Sequence, residues 1–521
     1  MLAWHYAPLL WALYAVNALS ILRFLPQYVQ HKQLFLHTSS ENIERENFDI
    51  WLVQQKDIAF NNILKNIGGI SPVLDTAVVP PGVVLASPSK VHPNYYYQWI
   101  RDLALTIRSL VYDLADGSMT DMNLSGVVEA YIVNNYHIQR TPNLSGDFES
   151  LDGLGEPKFH PNLSSFNENW GRPQRDGPGL RVSTIGAYIG YLEKFSREPT
   201  RKELPSRKYI YHNIIKPDLK YIIKSWNQEG FDLWEEVNGF HFFTLITQLR
   251  ALFDGQVLYK KYDGEDPEFL QALEKAIEDL GRFISQTGGF VNEGTSHIVE
   301  NPSLLKQGKI GGLDTATLLG ALHGHRLENK DFVERYQDIP FDIDSSHILN
   351  SLASMVADMK VRYPVNKFKS GMGVALGRYP EDIYDGYATT EGNPWFISTA
   401  SASEILYRMI YKLNYNQQDI VIDENNRSFF SQFLDMSREN VTRLKFGSDK
   451  YKRVVLNLLE FADSFLSIVK DHVDDSGRMS EQFNRYDGYM QGAEDLTWSY
   501  SAIWNGIRWR QKALAELDET Y

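Results

Sequence analysis

Apolar residues recur at helical spacing in twelve segments of this chain of 521 residues. Residues three or four positions apart share one face of a helix, so each segment would turn an apolar face towards a core. Alternating patterns typical of strands are few and short, and the best of them covers residues 82–86. The pattern predicts an all-α protein with a minor component of short β-strands. The predicted helices cover residues 51–67, 103–115, 125–140, 179–198, 211–227, 241–262, 267–285, 314–324, 345–363, 395–413, 451–472 and 495–517.

The connections between these predicted helices fall into two classes. If the helices alternate in direction, every connection from an odd-numbered helix to the next one lies on the same face of the molecule. Those connections are rich in aromatic residues, arginines and acids, whereas the others, such as residues 263–266, are short or merely polar. One face is therefore predicted to be functional. A closed ring of six outer and six inner helices would place its loops around one pocket, whereas an open superhelix would spread them along a groove. The rich connections contain residues 95–102, 170–176, 232–239, 311–314, 377–382 with 393–395, and 480–482 with 496–498.

The densest cluster of acids lies in one of these connections, beside an aromatic residue. Asp232, Glu235 and Glu236 occupy three of five consecutive positions around Trp234. Desolvation and like-charge repulsion would raise the pKa of at least one carboxyl, as a general acid requires. An acidic first turn that complements a helix dipole is the alternative interpretation. This cluster is the first candidate for catalysis.

Glycoside hydrolysis needs a second carboxyl group, and Glu481 is the candidate for it. Glu494 and Asp495 compete with Glu481, but they directly precede the last predicted helix and resemble N-terminal caps.

Several large aromatic residues near helix starts could be core residues, the usual location for such side chains. Together with arginines and acids they match a sugar site, which needs apolar ring faces and charged hydrogen-bond partners. Arg101 with Asp102, and Arg378 with Asp382, could equally be structural ion pairs. The aromatic candidates are Tyr95, Trp99, Trp170, Trp234, Trp395 and Trp498.

Composition excludes several other functions. The formal net charge of −14 argues against nucleic acid or an anionic membrane as the main partner, because both need clustered Lys and Arg. The chain has no cysteine, which excludes disulfides, thiolate metal sites and a cysteine nucleophile. It also lacks a Gly-x-Ser-x-Gly elbow, a His-Glu-x-x-His motif, a Walker loop and a complete calcium loop. We therefore expect a neutral substrate, with no cofactor and no metal.

The N-terminus contains an apolar run that is as long as the hydrophobic region of a secretory signal. Residues 9–22 are mostly apolar, but no Lys or Arg precedes Arg23, so an uncleaved membrane anchor is the alternative. We divide the chain into a signal peptide or anchor at residues 1–24, an arm at 25–48 and a catalytic domain at 49–521. Acceptor triplets for N-glycans agree with a secreted protein, with vacuolar and membrane-anchored forms as alternatives. These candidate acceptors are Asn123, Asn143, Asn162, Asn426 and Asn440.

The motifs in these connections resemble the fungal and yeast glucoamylases, which are glycoside hydrolases of family 15. They occur in the family's order over roughly residues 50–515. The motifs are residues 95–102, 155–159, 170–178, 231–243, 377–382 with 393–395, and 480–498. The resemblance implies an (α/α)6 toroid that removes glucose from the non-reducing ends of α-1,4-glucans with inversion.

The resemblance also implies roles for individual residues. Glu235 matches the general acid of the family, in its Trp-Glu-Glu motif, and Glu481 matches the general base, in its Ser-Glu-Gln motif. The implied substrate-binding residues are Tyr95, Trp99, Arg101, Asp102, Trp170, Asp232, Glu236, Arg378, Trp395 and Trp498.

Other functions of the same fold stay open at this point. A different inverting toroid glycosidase such as a trehalase is one alternative, and a glucan-binding protein without turnover is another. We expect a monomer that needs no protein partner. Because the chain lacks the Ser/Thr-rich linker and starch-binding module of filamentous fungi, we also expect weak adsorption to raw starch.

Overall fold

The computed structural model describes residues 39–117, 123–292, 294–306, 308–326, 339–367, 372–437 and 440–520. Within these ranges all twelve predicted helices are present, with ends shifted by a few residues, except that the first begins twelve residues earlier, at Ser39 rather than Trp51. The helices are α1 Ser39–Lys65, α2 Ile100–Asp116, α3 Leu124–Gln139, α4 Asp176–Lys194, α5 Arg207–Ile210 and Lys216–Ser225 joined by the π-helical turn Tyr211–Ile215, α6 Phe242–Tyr262, α7 Pro267–Arg282, α8 Ala316–Gly324, α9 Ser346–Arg362, α10 Phe396–Tyr415, α11 Asp449–His472 and α12 Thr497–Thr520.

The even-numbered helices form a closed inner ring. They contact one another in the order α2, α4, α6, α8, α10 and α12, and α12 returns to contact α2. Each odd-numbered helix packs outside an even one: α1 on α12, α3 on α2, α5 on α4, α7 on α6, α9 on α8 and α11 on α10. The fold is therefore an (α/α)6 toroid, and the open superhelix is excluded.

Burial differs between the two rings as their positions require. The outer helix α7 buries Phe269, Leu273, Ala276 and Leu280, which are spaced four and three apart on a single face. In the inner helix α10 every residue from 396 to 410 is buried, including several Ala and Ser that allow neighbouring helices to approach closely. The outer helices thus cover the ring, and the inner helices enclose its centre.

Short strands lie in the loops between the helices. Among the described residues they form four antiparallel pairs of two-residue strands. The pairs are β1 Gln98–Trp99 with β2 Lys158–Phe159, β3 Gly230–Phe231 with β4 Asn238–Gly239, β5 Ile420–Val421 with β6 Arg443–Leu444, and β7 Gln482–Phe483 with β8 Met490–Gln491.

The strand predicted at residues 82–86 was wrong. Only Val84 makes a bridge there, to Ile67, and no ladder continues from it. Val83, Val84 and Leu85 are nevertheless fully buried. Burial beneath the loops, rather than strand pairing, accounts for this apolar run.

The N-terminal segments differ in part from the predicted division. The signal or anchor at residues 1–24 lies outside the described residues. Helix α1 begins at Ser39, so the end of the predicted arm at 25–48 is helical. Among the described residues, no helix combines the length and the apolar character needed to cross a membrane.

The five candidate glycan acceptors lie in different environments. Asn123, Asn162 and Asn440 are exposed. The side chain of Asn426 is buried, and its amide donates to the carbonyl of Val421 at 3.0 Å. Asn143 donates to two backbone carbonyls, at 3.1 and 2.9 Å. In the folded structure the amide groups of Asn143 and Asn426 thus already donate hydrogen bonds, unlike an amide that is free to carry a glycan.

Candidate active site

The loops that are rich in aromatic residues, arginines and acids converge at one face, where the inner helices begin. A cavity of about 520 Å³ opens there, and this volume is typical of a pocket for a small ligand. It brings together the predicted catalytic pair and nearly all of the predicted binding residues. Those that line it are Tyr95, Trp99, Arg101, Asp102, Trp170, Glu235, Glu236, Arg378, Trp395, Glu481 and Trp498.

Glu235 lies in the tight turn between β3 and β4, and not in the first turn of a helix. The carboxylate of Asp232 accepts hydrogen bonds from the backbone amides of Glu236 and Val237, at 2.7 and 2.9 Å, and so holds the turn. Glu235 has a φ of 69°, in the left-handed region that residues other than glycine rarely adopt. Such strain is common at functional sites. The acidic helix turn considered as the alternative is thus excluded.

The two oxygens of the Glu235 carboxyl have different surroundings. Oε1 accepts hydrogen bonds from Trp99 Nε1 at 2.6 Å and from Gln174 Nε2 at 2.9 Å, and Arg101 Nη2 lies 3.6 Å away. Oε2 has no hydrogen-bond partner in the part of the chain that the structure describes. A proton on this carboxyl would therefore lie on Oε2, where it can be donated to a molecule in the cavity.

Glu481 is the second carboxyl group in the cavity, and it is almost fully buried. The hydroxyl of Tyr95 donates to its Oε1 at 2.8 Å. Its backbone amide donates to the carbonyl of Ala493 at 2.9 Å, which fixes the residue at the start of β7. Burial raises the pKa of Glu481 to about 8, although Tyr95 and Arg378 favour the ionised form.

This pKa bears on the role of general base that the family resemblance implies for Glu481. A general base must be ionised to take a proton from water. The buried position of Glu481 favours its protonated form below about pH 8. The cause is desolvation, which only the folded surroundings can create.

Two neighbouring aromatic residues orient the two carboxyl groups. The rings of Tyr95 and Trp99 are 5.3 Å apart between centroids, and each donates to one of the glutamates. The hydroxyl of Tyr384 lies 3.1 Å from that of Tyr95 and extends this network. One short segment before α2 thus positions both members of the predicted pair.

Arg378 combines the two interpretations considered for it. Its guanidinium donates to Asp382 at 2.8 and 2.5 Å, as a structural ion pair would. It also donates to Glu236 at 2.7 Å, and the hydroxyl of Tyr379 donates to the other oxygen of Glu236 at 2.5 Å. Burial raises the pKa of Glu236, and Arg378 opposes this shift. Asp382 thus holds the guanidinium of Arg378 in the lining of the cavity.

Arg101 and Asp102 form a second charged group in the cavity lining. Arg101 pairs with Asp176 at 3.0 Å, and its Nε lies 3.6 Å from Asp102 Oδ2. Burial raises the pKa of Asp102 to about 7, and Arg101 opposes this shift. Within the described chain, Asp102 Oδ2 and the indole nitrogens of Trp170 and Trp395 are buried without a hydrogen-bond partner. These atoms are suited to bind hydroxyl groups of a sugar.

Asp232 is the one predicted binding residue that does not line the cavity. Its Oδ1 accepts a hydrogen bond from the turn that carries Glu235, and Lys309 Nζ lies 3.8 Å from its Oδ2. Burial opposes its ionisation, but Lys309, His241 and the turn amides outweigh burial and lower its pKa. Asp232 thus acts on the cavity through the backbone of Glu235 and Glu236.

Lys158 is a cavity residue that was not among the predicted site residues. Its ammonium lies 3.6 to 4.4 Å from the ring centres of Tyr97, Trp99, Phe166 and Trp170. Burial lowers its pKa to about 8, while Glu235 favours the charged form. Lys158 belongs to one of the motifs shared with glucoamylases, but only the fold assembles the four rings around it.

The family model for Glycosyl hydrolases family 15 matches residues 55–506. The chain belongs to this family. A curated relative of this family 15 hydrolase, Glucoamylase GLU1 of Saccharomycopsis fibuligera, is 40% identical over 494 residues, spanning 92% of this chain and 93% of the relative. The intracellular sporulation-specific glucoamylase of Saccharomyces cerevisiae is 38% identical over 483 residues, spanning 90% and 85%.

A solved structure supports the same assignment. Glucoamylase from S. fibuligera superposes on this family 15 hydrolase with a TM-score of 0.83 at 40% identity, covering 89% of this chain and 96% of that chain. The toroid deduced from the helix contacts is thus also the fold of a solved glucoamylase.

Proposed function

We propose that this family 15 hydrolase is a glucan 1,4-α-glucosidase, a glucoamylase, that releases β-D-glucose from the non-reducing ends of starch, glycogen or maltooligosaccharides. The observation that carries the proposal is the pair Glu235 and Glu481, held in one cavity by Trp99 and Tyr95. The names of its relatives support the substrate class.

Glu235 acts as the general acid. Its Oε1 is held by Trp99 and Gln174, so Oε2 gives its proton to the glycosidic oxygen of the leaving group. The positive φ of Glu235 supports this role, because a strained turn directs the carboxyl into the cavity.

Glu481 acts as the general base and removes a proton from the attacking water. Because burial raises its pKa to about 8, its carboxylate is a stronger base than an exposed glutamate, while less of it is ionised at lower pH. Inversion requires the water to fit between the base and the anomeric carbon. The two carboxyl groups should therefore stand about 6.5 to 9.5 Å apart, against about 5 to 5.5 Å in a retaining enzyme.

The other cavity residues bind the terminal glucose. Asp102, Glu236 and Arg378 offer charged partners to its hydroxyl groups, while Trp395 and Trp498 supply apolar surface. Charged hydrogen-bond partners of this kind bind the hydroxyl groups of a neutral sugar. This agrees with the neutral substrate expected from the net charge of −14.

A substrate panel tests this proposal. The protein is incubated with maltose, maltotriose, soluble starch and trehalose, and released glucose is measured. Glucose from the first three but not from trehalose supports a glucoamylase. Release from trehalose alone would identify a trehalase, and no release at all would leave a glucan-binding protein.

The stereochemistry is tested separately by following the first product by NMR. An inverting enzyme gives β-D-glucose first, and an α-anomeric first product would refute the assigned pair. The substitutions Glu235→Gln and Glu481→Gln should abolish most turnover, whereas the exposed Glu424→Gln is the matched control.

We also propose that the protein enters the secretory pathway. The apolar residues 9–22 and the exposed acceptors Asn123, Asn162 and Asn440 support this localisation. The S. cerevisiae relative is named as intracellular, so localisation within the family varies.

A further inference from the structure

Lys309 is a buried lysine that is not among the described residues lining the active-site cavity. Its ammonium donates a hydrogen bond to Asp314 Oδ2 at 2.8 Å and lies 3.8 Å from Asp232 Oδ2. It also lies 3.7 Å from the centre of the Tyr379 ring. One ammonium thus contacts two carboxylates and the face of an aromatic ring, which are the partners that a buried cation prefers.

Two of these partners hold the residues on either side of Glu235 in the chain. The indole Nε1 of Trp234 donates to Asp314 Oδ1 at 2.9 Å. The hydroxyl of Tyr379 donates to Glu236 Oε2 at 2.5 Å. Both neighbours of the proposed general acid are therefore held by groups that the ammonium of Lys309 contacts.

The third partner holds the backbone of the same turn. Asp232 Oδ1 accepts hydrogen bonds from the amides of Glu236 and Val237, and the carbonyl of Asp232 accepts one from the amide of Glu235 at 3.0 Å. Within the described chain, Asp232 Oδ2 is buried without a hydrogen-bond partner. Burial opposes the ionisation of Asp232, and Lys309 is the foremost of the groups that nevertheless lower its pKa. Lys309 thus favours the charged form of the carboxylate that receives the turn amides.

The charges around this turn depend on Lys309 for their balance. Among the described residues, Lys309 is the only cation that forms an ion pair with Asp232 or Asp314. Burial lowers the pKa of His241 and so favours its neutral form. Burial, together with Asp314, raises the pKa of Glu300 well above its ordinary range and so favours its protonated form. The two aspartates are therefore compensated by one ammonium.

The backbone of Glu235 makes this support necessary. Its φ of 69° lies in the left-handed region, which is strained for a residue other than glycine. Such a conformation persists only where the surrounding structure fixes it. If the contacts on both sides of Glu235 were weakened, the turn could relax, and the carboxyl would move away from its hydrogen bonds with Trp99 and Gln174.

We propose that Lys309 is a positioning residue for the general acid: through Asp314, Tyr379 and Asp232 it holds the strained turn that directs Glu235 into the cavity. This inference rests on the proposed glucoamylase function, in which Glu235 donates the proton. Proton transfer needs close geometry, and a displacement of about 1 Å can cost about 10² in rate. Binding of the terminal glucose is shared among several other side chains. Loss of Lys309 should therefore lower kcat more than it raises KM.

The test compares two lysines with similar surroundings. Lys309→Met removes the ammonium and keeps an apolar stem; we expect kcat on maltose to fall about tenfold while KM changes less than about threefold. Lys216→Met is the matched control. Lys216 also pairs with two aspartates, Asp263 at 2.6 Å and Asp266 at 2.9 Å, and lies 4.8 Å from the ring centre of Phe269. It is not among the described residues that line the cavity, so this variant should lose stability but keep wild-type kcat and KM.

Two further measurements separate positioning from folding. Circular dichroism identifies a temperature at which wild type and both methionine variants are folded, and the kinetics are measured there, so a change in stability alone leaves kcat unaltered. Lys309→Arg keeps the positive charge, but its planar guanidinium is larger than an ammonium and cannot take the same position. We expect kcat of Lys309→Arg to lie between those of wild type and Lys309→Met.

The outcomes separate this inference from the proposed function. If wild-type protein releases no glucose from maltose, the proposed function fails and the role of Lys309 fails with it. If wild-type protein is active but folded Lys309→Met keeps its kcat, or loses no more of it than Lys216→Met, only the positioning role is overturned. A rise in KM without a fall in kcat would also overturn it. If Lys309→Met does not fold, Lys309→Arg decides: a lowered kcat supports the inference, and a wild-type kcat refutes it.

Discussion

Replacing Glu481 by glutamine should stabilise the folded protein at neutral and alkaline pH. Burial raises the pKa of this carboxyl to about 8. Between the ordinary pKa and the folded one, the folded state keeps a proton on Glu481 that the unfolded state has lost. Stability therefore falls as pH rises through this window, and a neutral glutamine escapes the loss.

The magnitude follows from the shift. The folded value of about 8 exceeds the ordinary 4.5 by about 3.5 units, which at about 1.4 kcal/mol per unit amounts to about 5 kcal/mol well above pH 8. At pH 7 only the part of the window between 4.5 and 7 counts, and the expected gain is about 3 kcal/mol. Glutamine retains an oxygen that can accept the hydrogen bond from Tyr95.

The assay is urea unfolding followed by tryptophan fluorescence, at pH 4.5, 7 and 8.5, for wild type and Glu481→Gln. The two proteins should unfold at similar urea concentrations at the lowest pH and diverge as pH rises. Glu424→Gln, which changes an exposed carboxyl, should follow wild type throughout. Parallel curves for wild type and Glu481→Gln would refute the argument that burial holds this carboxyl in its protonated form.

Four further predictions concern catalysis and sorting. Glu235→Gln should lower kcat on maltose by about 10² to 10⁴ with little change in substrate binding, because a general acid acts mainly in the transition state. Glu236→Gln should instead raise KM substantially, because Glu236, which accepts a hydrogen bond from Arg378, is proposed to bind hydroxyl groups of the substrate; equal kcat losses in the two variants would contradict the separation of roles. Tyr95→Phe should remove the donor to Glu481 Oε1, raise the pKa of that carboxyl further and move the acidic limb of the kcat/KM profile to higher pH; an unmoved limb would argue against Glu481 as the base. An N-glycan-removing enzyme should increase the gel mobility of the native protein, and Asn162→Gln should reduce this change, because Asn162 is exposed.

Local patterns in the sequence determined the helices and the catalytic face. Helical periodicity depends on residues three and four apart, so it is visible without any tertiary information. The outer helix α7 shows this clearly, with Phe269, Leu273, Ala276 and Leu280 on one face. The alternation of rich and plain connections predicted that residues from six loops would share a face. The cavity contains residues from five of these loops, and the sixth, at residues 311–314, reaches it only through Asp314, which accepts from the indole of Trp234 at 2.9 Å.

Only the tertiary structure shows the features that depend on residues far apart in the chain. Whether the helices close into a ring is settled by the contact between α12 and α2, which are far apart in the chain. The run at residues 82–86 was mistaken for a strand because burial by loops produces the same apolar pattern as strand pairing. Asp232 faces the turn rather than the cavity, since the β3 and β4 hairpin directs it towards two backbone amides.

The pKa of Glu481 shows the same limit most directly. The sequence around it, Met479 to Phe483, contains nothing that would raise the pKa of a carboxyl to about 8. The shift arises because the fold removes water from the carboxyl, with Tyr95 contributed by a segment almost four hundred residues away in the chain. The sequence could indicate Glu235 and Glu481 as candidates because each belongs to a short motif that is read without tertiary information. The protonation of these carboxyl groups depends instead on desolvation, which arises only when remote segments pack together.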